Sequence, residues 1–190
     1  MKMRESGMPD ETMWEHFFDA PAALKRLGLR ADDACVVELG SGYGTFTLPA
    51  ARMVRGQVLA FDIESDLVAL VQRKARAAGL ANILCEQRDF VMTGTGVADG
   101  AADYVMLFNI LHAEQPEVLL REARRILRQG GRLAIMHWNY DASTPRGPSM
   151  TIRPQPEQCR MWAEAEGFRL PKPGIINLPP YHYGMVLECP

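Results

Sequence analysis

The sequence predicts an α/β fold: a doubly wound, mostly parallel sheet with helices on both faces. Three observations carry this. Short apolar runs alternate along the chain with helical stretches, the pattern of strands joined by crossover helices. The first of these runs enters a glycine-rich turn and leaves it as a helix. The 190 residues, 47% hydrophobic and 23% charged, fit one globular domain with a core large enough to stand without disulfides or a structural metal.

The elements follow in order. A polar loop runs to Pro9. Thr12-Met13-Trp14-Glu15 has the Thr-x-x-Glu form of a capping box, and Trp14, Phe17 and Phe18 follow at helical spacing as one apolar face. Asp19 is placed to cap a second short helix, with Pro21 in its first turn, which runs out at Gly28. Residues 34–39 (ACVVEL) form a buried strand, then Gly40-Ser41-Gly42-Tyr43-Gly44, then a helix to about Arg55. Residues 57–61 are a second strand ending at Asp62. Residues 65–78 are a helix with Leu67, Leu70 and Val71 on one side and basic residues on the other, stopped by Gly79. A third strand spans 82–87, a loop 93–100, and a fourth strand 104–108. A helix over 116–128 leads through Gly130-Gly131 into a fifth strand, 132–137.

Residues 139–156, rich in Pro, Ser, Thr and Gly, read as a long loop of the kind that carries function in compact domains. A last helix over 157–166 stops at Gly167, and 175–178 and 181–187 form a closing pair of strands around Pro179-Pro180. No repeat, low-complexity tract or linker divides the chain. It is one domain, 1–190, with N-terminal helices (1–33) over the site, a cofactor-binding core (34–138) and a substrate-side part (139–190).

Charge and composition narrow the function. Lys+Arg is 21 against Asp+Glu 23, a net charge of -2, so no overall positive field draws nucleic acid or an anionic membrane. The polar N-terminus lacks an apolar leader, and no apolar run approaches a membrane span, which points to the cytoplasm. Cys35, Cys85, Cys159 and Cys189 form no Cys-x-x-Cys pair and read as reduced packing residues; no metal site is expected.

The chemistry concentrates around the glycine turn. Glycines permit a tight turn and let a ligand approach the backbone, so a nucleotide-type cofactor is expected across the carboxyl ends of the strands. The dinucleotide pattern Gly-x-Gly-x-x-Gly would need a third glycine where Thr45 stands, and no phosphate-loop Gly-Lys-Ser/Thr follows. Glu38, just before the turn, is a poor neighbour for a pyrophosphate and suits a cofactor with cationic groups. Asp62, about 20 residues on at the end of the second strand, is placed to accept both hydroxyls of a ribose. Asp89 and Phe90 follow the third strand, where they can meet an exocyclic amine and offer ring contact or a backbone N–H.

With these residues in place, the chain resembles the class I S-adenosylmethionine-dependent methyltransferases. The resemblance covers about 34–137. Its fourth- and fifth-strand segments, Leu107-Phe108-Asn109-Ile110-Leu111-His112 and Leu127-Arg128-Gln129-Gly130-Gly131-Arg132-Leu133, are similar to the quinone-biosynthesis-like (type 11/25) branch. It implies a Rossmann-like sheet of seven strands, the last antiparallel and supplied by 181–187. It also implies methyl transfer from S-adenosylmethionine. Glu38, Gly40, Ser41 and Gly42 would meet the methionine half, Asp62 the ribose, and Ile63, Asp89 and Phe90 the adenine, with Asn109 near the methionine part.

The acceptor is expected to be a small molecule with an anionic group, held by Arg146 and Arg153 on the proline-stiffened loop after the fifth strand. His112, His137 and Tyr140 are the candidate catalytic groups, since they follow the fourth and fifth strands at the ligand-binding edge. Two alternatives remain open on the residues: a non-catalytic cofactor-binding or partner module, and a dinucleotide-dependent oxidoreductase. A monomer or homodimer is expected.

Overall fold

The computed structural model describes residues 9–190; the opening loop expected over residues 1–8 lies outside them. The elements are α1 (Glu11–Glu15), α2 (Ala20–Arg26), β1 (Cys35–Leu39), α3 (Thr47–Met53), β2 (Gln57–Asp62), α4 (Ser65–Ala77), β3 (Ile83–Gln87), α5 (Phe90–Thr93), β4 (Ala102–Phe108), α6 (Pro116–Ile126), β5 (Leu127–Trp138), α7 (Pro156–Ala165), β6 (Ile176–Leu178) and β7 (His182–Glu188). Seven strands make one sheet in the order β3-β2-β1-β4-β5-β7-β6. The pairings of β1 with β2 and β4, of β2 with β3, and of β4 with β5 are parallel. β7 runs antiparallel to both β5 and β6. This is the doubly wound, seven-stranded, Rossmann-like sheet with an antiparallel last strand.

Alternation along the strands sorts the core into two layers. Val37, Leu39, Val105, Leu107, Leu133 and Ile135 are sealed against α6 and α7. Val36, Tyr104, Met106, Ala134 and Met136 are sealed against α2 and α3. Each fully buried aliphatic side chain there contributes roughly 1.5–3 kcal/mol. At the amino edge of the sheet, Arg132 donates to the Gly28 carbonyl and to the Asp33 carboxylate, and lies 5.2 Å over the Tyr104 ring. The Tyr104 hydroxyl donates to the Leu27 carbonyl at 2.9 Å. These bonds tie the chain after α2 to β4 and β5.

Local boundaries differ from the sequence reading in several places; α1 ends at Glu15, so Phe17 and Phe18 of the expected helical stripe lie beyond it, and β4 begins at Ala102. Asp10, not Thr12, caps α1, its carboxylate accepting from the Met13 N–H at 3.1 Å, so the Thr12–Glu15 capping box does not form. A short carboxylate at the helix entrance caps as well as any residue, and it claims the first free N–H. Asp89 caps a short helix, α5, ahead of the expected loop. α6 ends at Ile126, because Leu127 turns to extended geometry and pairs with Ala102. Gly130 and Gly131 then lie inside β5 rather than before it. A Cβ on Gly131 would stand 2.8 Å from the Arg128 carbonyl oxygen, so the bend there needs glycine.

Candidate active site

Parallel pairing brings the carboxyl ends of β1, β2, β4 and β5 to one edge, and the strand order reverses at β1, beside β4. Open α/β sheets bind ligands at such a switch point. The glycine turn sits there, with Gly40, Gly42 and Gly44 at φ of 83°, 52° and 79°. The N–H groups of Gly40 and Ser41 donate to the Phe61 carbonyl, at 2.8 and 3.1 Å. Asp62 holds the turn as well: its carboxylate accepts from Gly42 N–H at 2.8 Å and from Glu64 N–H at 3.1 Å. Each carboxylate oxygen keeps a second lone pair for a ligand.

Glu38 is buried, 2% exposed, and accepts from the Thr47 hydroxyl. Burial pushes its carboxyl up to about 8, the Thr47 bond pulls it partly back, and the nearby charge of Asp62 adds to the rise. Asn109 follows β4 in the left-handed region at φ 54°, unusual for a residue with a side chain. Its backbone N–H donates to the Met136 carbonyl at 2.8 Å, while its buried Oδ1 has no hydrogen-bond partner among the described residues. The buried Thr45 hydroxyl is also without a partner among them. Sequence reasoning passed over Thr45 except as a missing glycine; its signal was a hydroxyl in the first turn after the glycines.

The remaining cofactor candidates divide. Ser41 is buried, its hydroxyl 3.9 Å from the Cys85 thiol. Ile63 is half-buried after β2. The Asp89 carboxylate caps α5, accepting from Met92 N–H at 3.1 Å. The Phe90 ring packs into the core with Val37 and Leu107, which leaves its backbone rather than its ring for an adenine.

Past β4 and at the end of β5, His112 and His137 come together, their rings 5.6 Å apart and edge to face, both buried. The ring nitrogens of His137 find no partner of good geometry among the described residues. Burial first, then the neighbouring His112 and His182, hold His137 well below the ordinary histidine range, so it is neutral at pH 7. Tyr140 lies beyond β5 and is exposed. Arg146 is exposed on the loop, 3.6 Å from the Met13 sulfur.

Arg153 departs from the expectation. Its guanidinium donates to the carbonyls of Asn139, Asp141, Arg146 and Pro148 and to the Thr144 hydroxyl. It is a buried staple of the 139–153 loop, with every donor engaged inside the fold, because a proline-interrupted loop leaves many carbonyls without strand partners.

The N-terminal segment crosses this edge. The Tyr43 hydroxyl donates to the Pro9 carbonyl at 3.0 Å, and Lys74 pairs with Glu11 while donating to the Tyr43 carbonyl. Phe17 packs on Trp138 at 5.3 Å and Phe18 on Phe46 at 5.2 Å. No three His, Cys, Asp or Glu residues converge as metal ligands among the described residues, and all four cysteines are free thiols.

The methyltransferase domain family matches residues 36–131. An uncharacterized 37.1 kDa protein in transposon TN4556 of Streptomyces fradiae is 31% identical over 158 residues, 78% of this chain and 45% of that protein. The ubiquinone/menaquinone biosynthesis C-methyltransferase UbiE of Sinorhizobium fredii is 28% identical over 116 residues, 58% of this chain and 43% of that one. The chain thus spans less than half the length of these curated relatives. Among solved structures, a SAM dependent methyltransferase from Aquifex aeolicus shares the fold with a TM-score of 0.83, at 22% identity over 95% of this chain and 94% of that one.

Proposed function

The chain belongs to the methyltransferase domain family, and from that premise we propose that it transfers the methyl group of S-adenosylmethionine to a small-molecule acceptor, an anionic group of which is met by Arg146. The cofactor supplies an electrophilic methyl when bound. The observation that carries this reading is the buried Oδ1 of Asn109, without a hydrogen-bond partner among the described residues and set in left-handed geometry just past β4. A buried acceptor without a donor costs about 1–3 kcal/mol, and the donor's ammonium group would remove that cost. Glu38 favours the same cationic end, Asp62 the ribose hydroxyls, and the Thr45 hydroxyl the carboxylate. Where the nucleophile arrives protonated, His112 takes the proton, with neutral His137 behind it and Tyr140 at the mouth. The net charge of -2 supports an acceptor other than nucleic acid. No helix among the described residues is long and apolar enough to cross a membrane. We place the protein in the cytoplasm as a monomer or homodimer.

Calorimetric titration with S-adenosylmethionine and, separately, NAD tests the cofactor. The donor is expected to bind wild type, and Asp62→Ala to weaken it by about 1–3 kcal/mol, the scale of lost hydrogen bonds to a carboxylate. Binding of NAD in place of the donor, or of neither, would overturn the reading.

Glu38 adds a pH signature. Its folded pKa, about 8, lies above the ordinary 4.5, so the native state keeps a proton that the unfolded chain releases. Its contribution to stability is full below 4.5 and declines as pH rises towards 8. Urea melts across that range should show the decline in wild type and its loss in Glu38→Gln. A bound sulfonium and ammonium favour the carboxylate, so donor binding at pH 7 should expel a proton. Heats measured in phosphate and in Tris then differ; equal heats would remove Glu38 from the donor site.

A further inference from the structure

A concavity lined by none of the glycine-turn residues opens on the α2 side of the sheet. It is a cavity of about 150 Å³ between the α1–α2 corner, β5 and the β6–β7 turn. Phe17, Phe18, Ala23, Met136 and Leu178 give it apolar walls, and His182 completes them. β7 runs antiparallel, so His182, its first residue, stands at the same edge as the carboxyl ends of the parallel strands. Phe18 is shared: it walls the cavity and packs on Phe46, two residues past the glycine turn.

We propose that this cavity binds a neutral six-membered ring carrying one hydroxyl, the hydroxyl bonding to the His182 imidazole; that this ring is part of the methyl acceptor rests on the function proposed above. Size sets the first limit, because an apolar cavity of this volume holds one benzene-sized ring. The polar group is set by His182. It is 2% exposed, held between Trp138 at 4.3 Å and Phe18 at 4.6 Å, and its Nε2 has no hydrogen-bond partner among the described residues. The ring lines the cavity, and a half-turn about Cβ–Cγ exchanges the places of Nε2 and Cε1 within the same ring outline. Neutrality is set by charge. Burial and then the nearby Arg153 bring His182 down to about 3, so it is uncharged at pH 7. The two charged residues of the wall, Asp19 and Arg26, have opposite signs and together select no ion.

Phenol and toluene are the probes, titrated into the full chain by ligand-observed NMR, with Trp fluorescence as a second readout. Wild type is expected to bind both. His182→Phe keeps a flat ring between Trp138 and Phe18 and should weaken phenol about five-fold while leaving toluene within about two-fold, the span of one neutral hydrogen bond. Ala22→Leu, on the exposed rim of the cavity, should weaken both probes without threatening the core. Phenol should bind equally well with S-adenosylmethionine present. Probes that do not bind, that ignore both variants, or that compete with the donor overturn the proposal; a cavity holding only water gives the first of these. The donor titration answers separately. If S-adenosylmethionine fails to bind wild type, methyl transfer is wrong whatever the probes do. If it binds and the probes ignore the variants, the cavity assignment alone fails.

Discussion

Asp33→Ala should destabilise the protein by about 3–5 kcal/mol, the cost of leaving a buried cation without its partner. Asp33 is 4% exposed and Arg132 7%, so little solvent screens the pair. The carboxylate also accepts from the Arg30 N–H at 2.8 Å, which would lose its partner too. Arg132 would remain above Tyr104 with the Gly28 carbonyl as its acceptor. Urea unfolding reads the loss directly. The double variant Asp33→Ala with Arg132→Met should be less destabilised than the sum of its single changes, because removing both charges removes the desolvation cost with them. Additive single and double effects would show that the two residues are not coupled. The effect reaches function by geometry: Arg132, held by Asp33, also donates to the Gly28 carbonyl just past α2, and α2 walls the proposed cavity.

Gly44→Ala should cost about 2–5 kcal/mol and take donor binding with it. Two terms add. A φ of 79° costs an L-residue roughly 1–2 kcal/mol. The new Cβ would stand 2.5 Å from Leu48 Cδ1 and 3.0 Å from Val71 Cγ2, and forcing a methyl into a packed core costs roughly 1–3 kcal/mol. Leu48 can swing its terminal methyl aside, whereas Val71 is β-branched and stiff on α4. The strain falls on the turn that presents its N–H groups to Phe61 and Asp62, so calorimetry with S-adenosylmethionine should show at least a tenfold loss. A variant within about 0.5 kcal/mol of wild type, inside the range of ordinary surface changes, would mean that the turn relaxes freely.

The three glycines of that turn were legible in the sequence because a backbone that needs positive φ leaves a mark on residue type. The same holds for the strand–helix alternation and for the parallel sheet it implies. Arg153 was not legible in this way. An arginine on a proline-rich loop looks the same whether it faces a ligand or closes the loop on itself. The choice was made by carbonyls of residues 139, 141, 146 and 148, which only folding gathers. Phe90 and His137 make the same point: Phe90 opens α5 just after β3 and His137 lies inside the end of β5, yet the first turns its ring into the core and the second is sealed beside His112 and Tyr183.

The family came from resemblance to known motifs; from the residues alone came the order of the strands and longer helices, the parallel sheet they build, and the glycine turn with Glu38 and Asp62 at its flanks. These are properties of local periodicity, turn chemistry and spacing, and they survive without knowledge of what packs on what. Tertiary structure alone decided that Asn109 and Thr45 keep buried oxygens without partners among the described residues, that Arg153 is a staple, and that Phe18 and His182 meet across more than 160 residues of chain to wall an open cavity. Such outcomes depend on the hydrogen-bond and packing balance of residues far apart in the chain, and no local pattern records that balance.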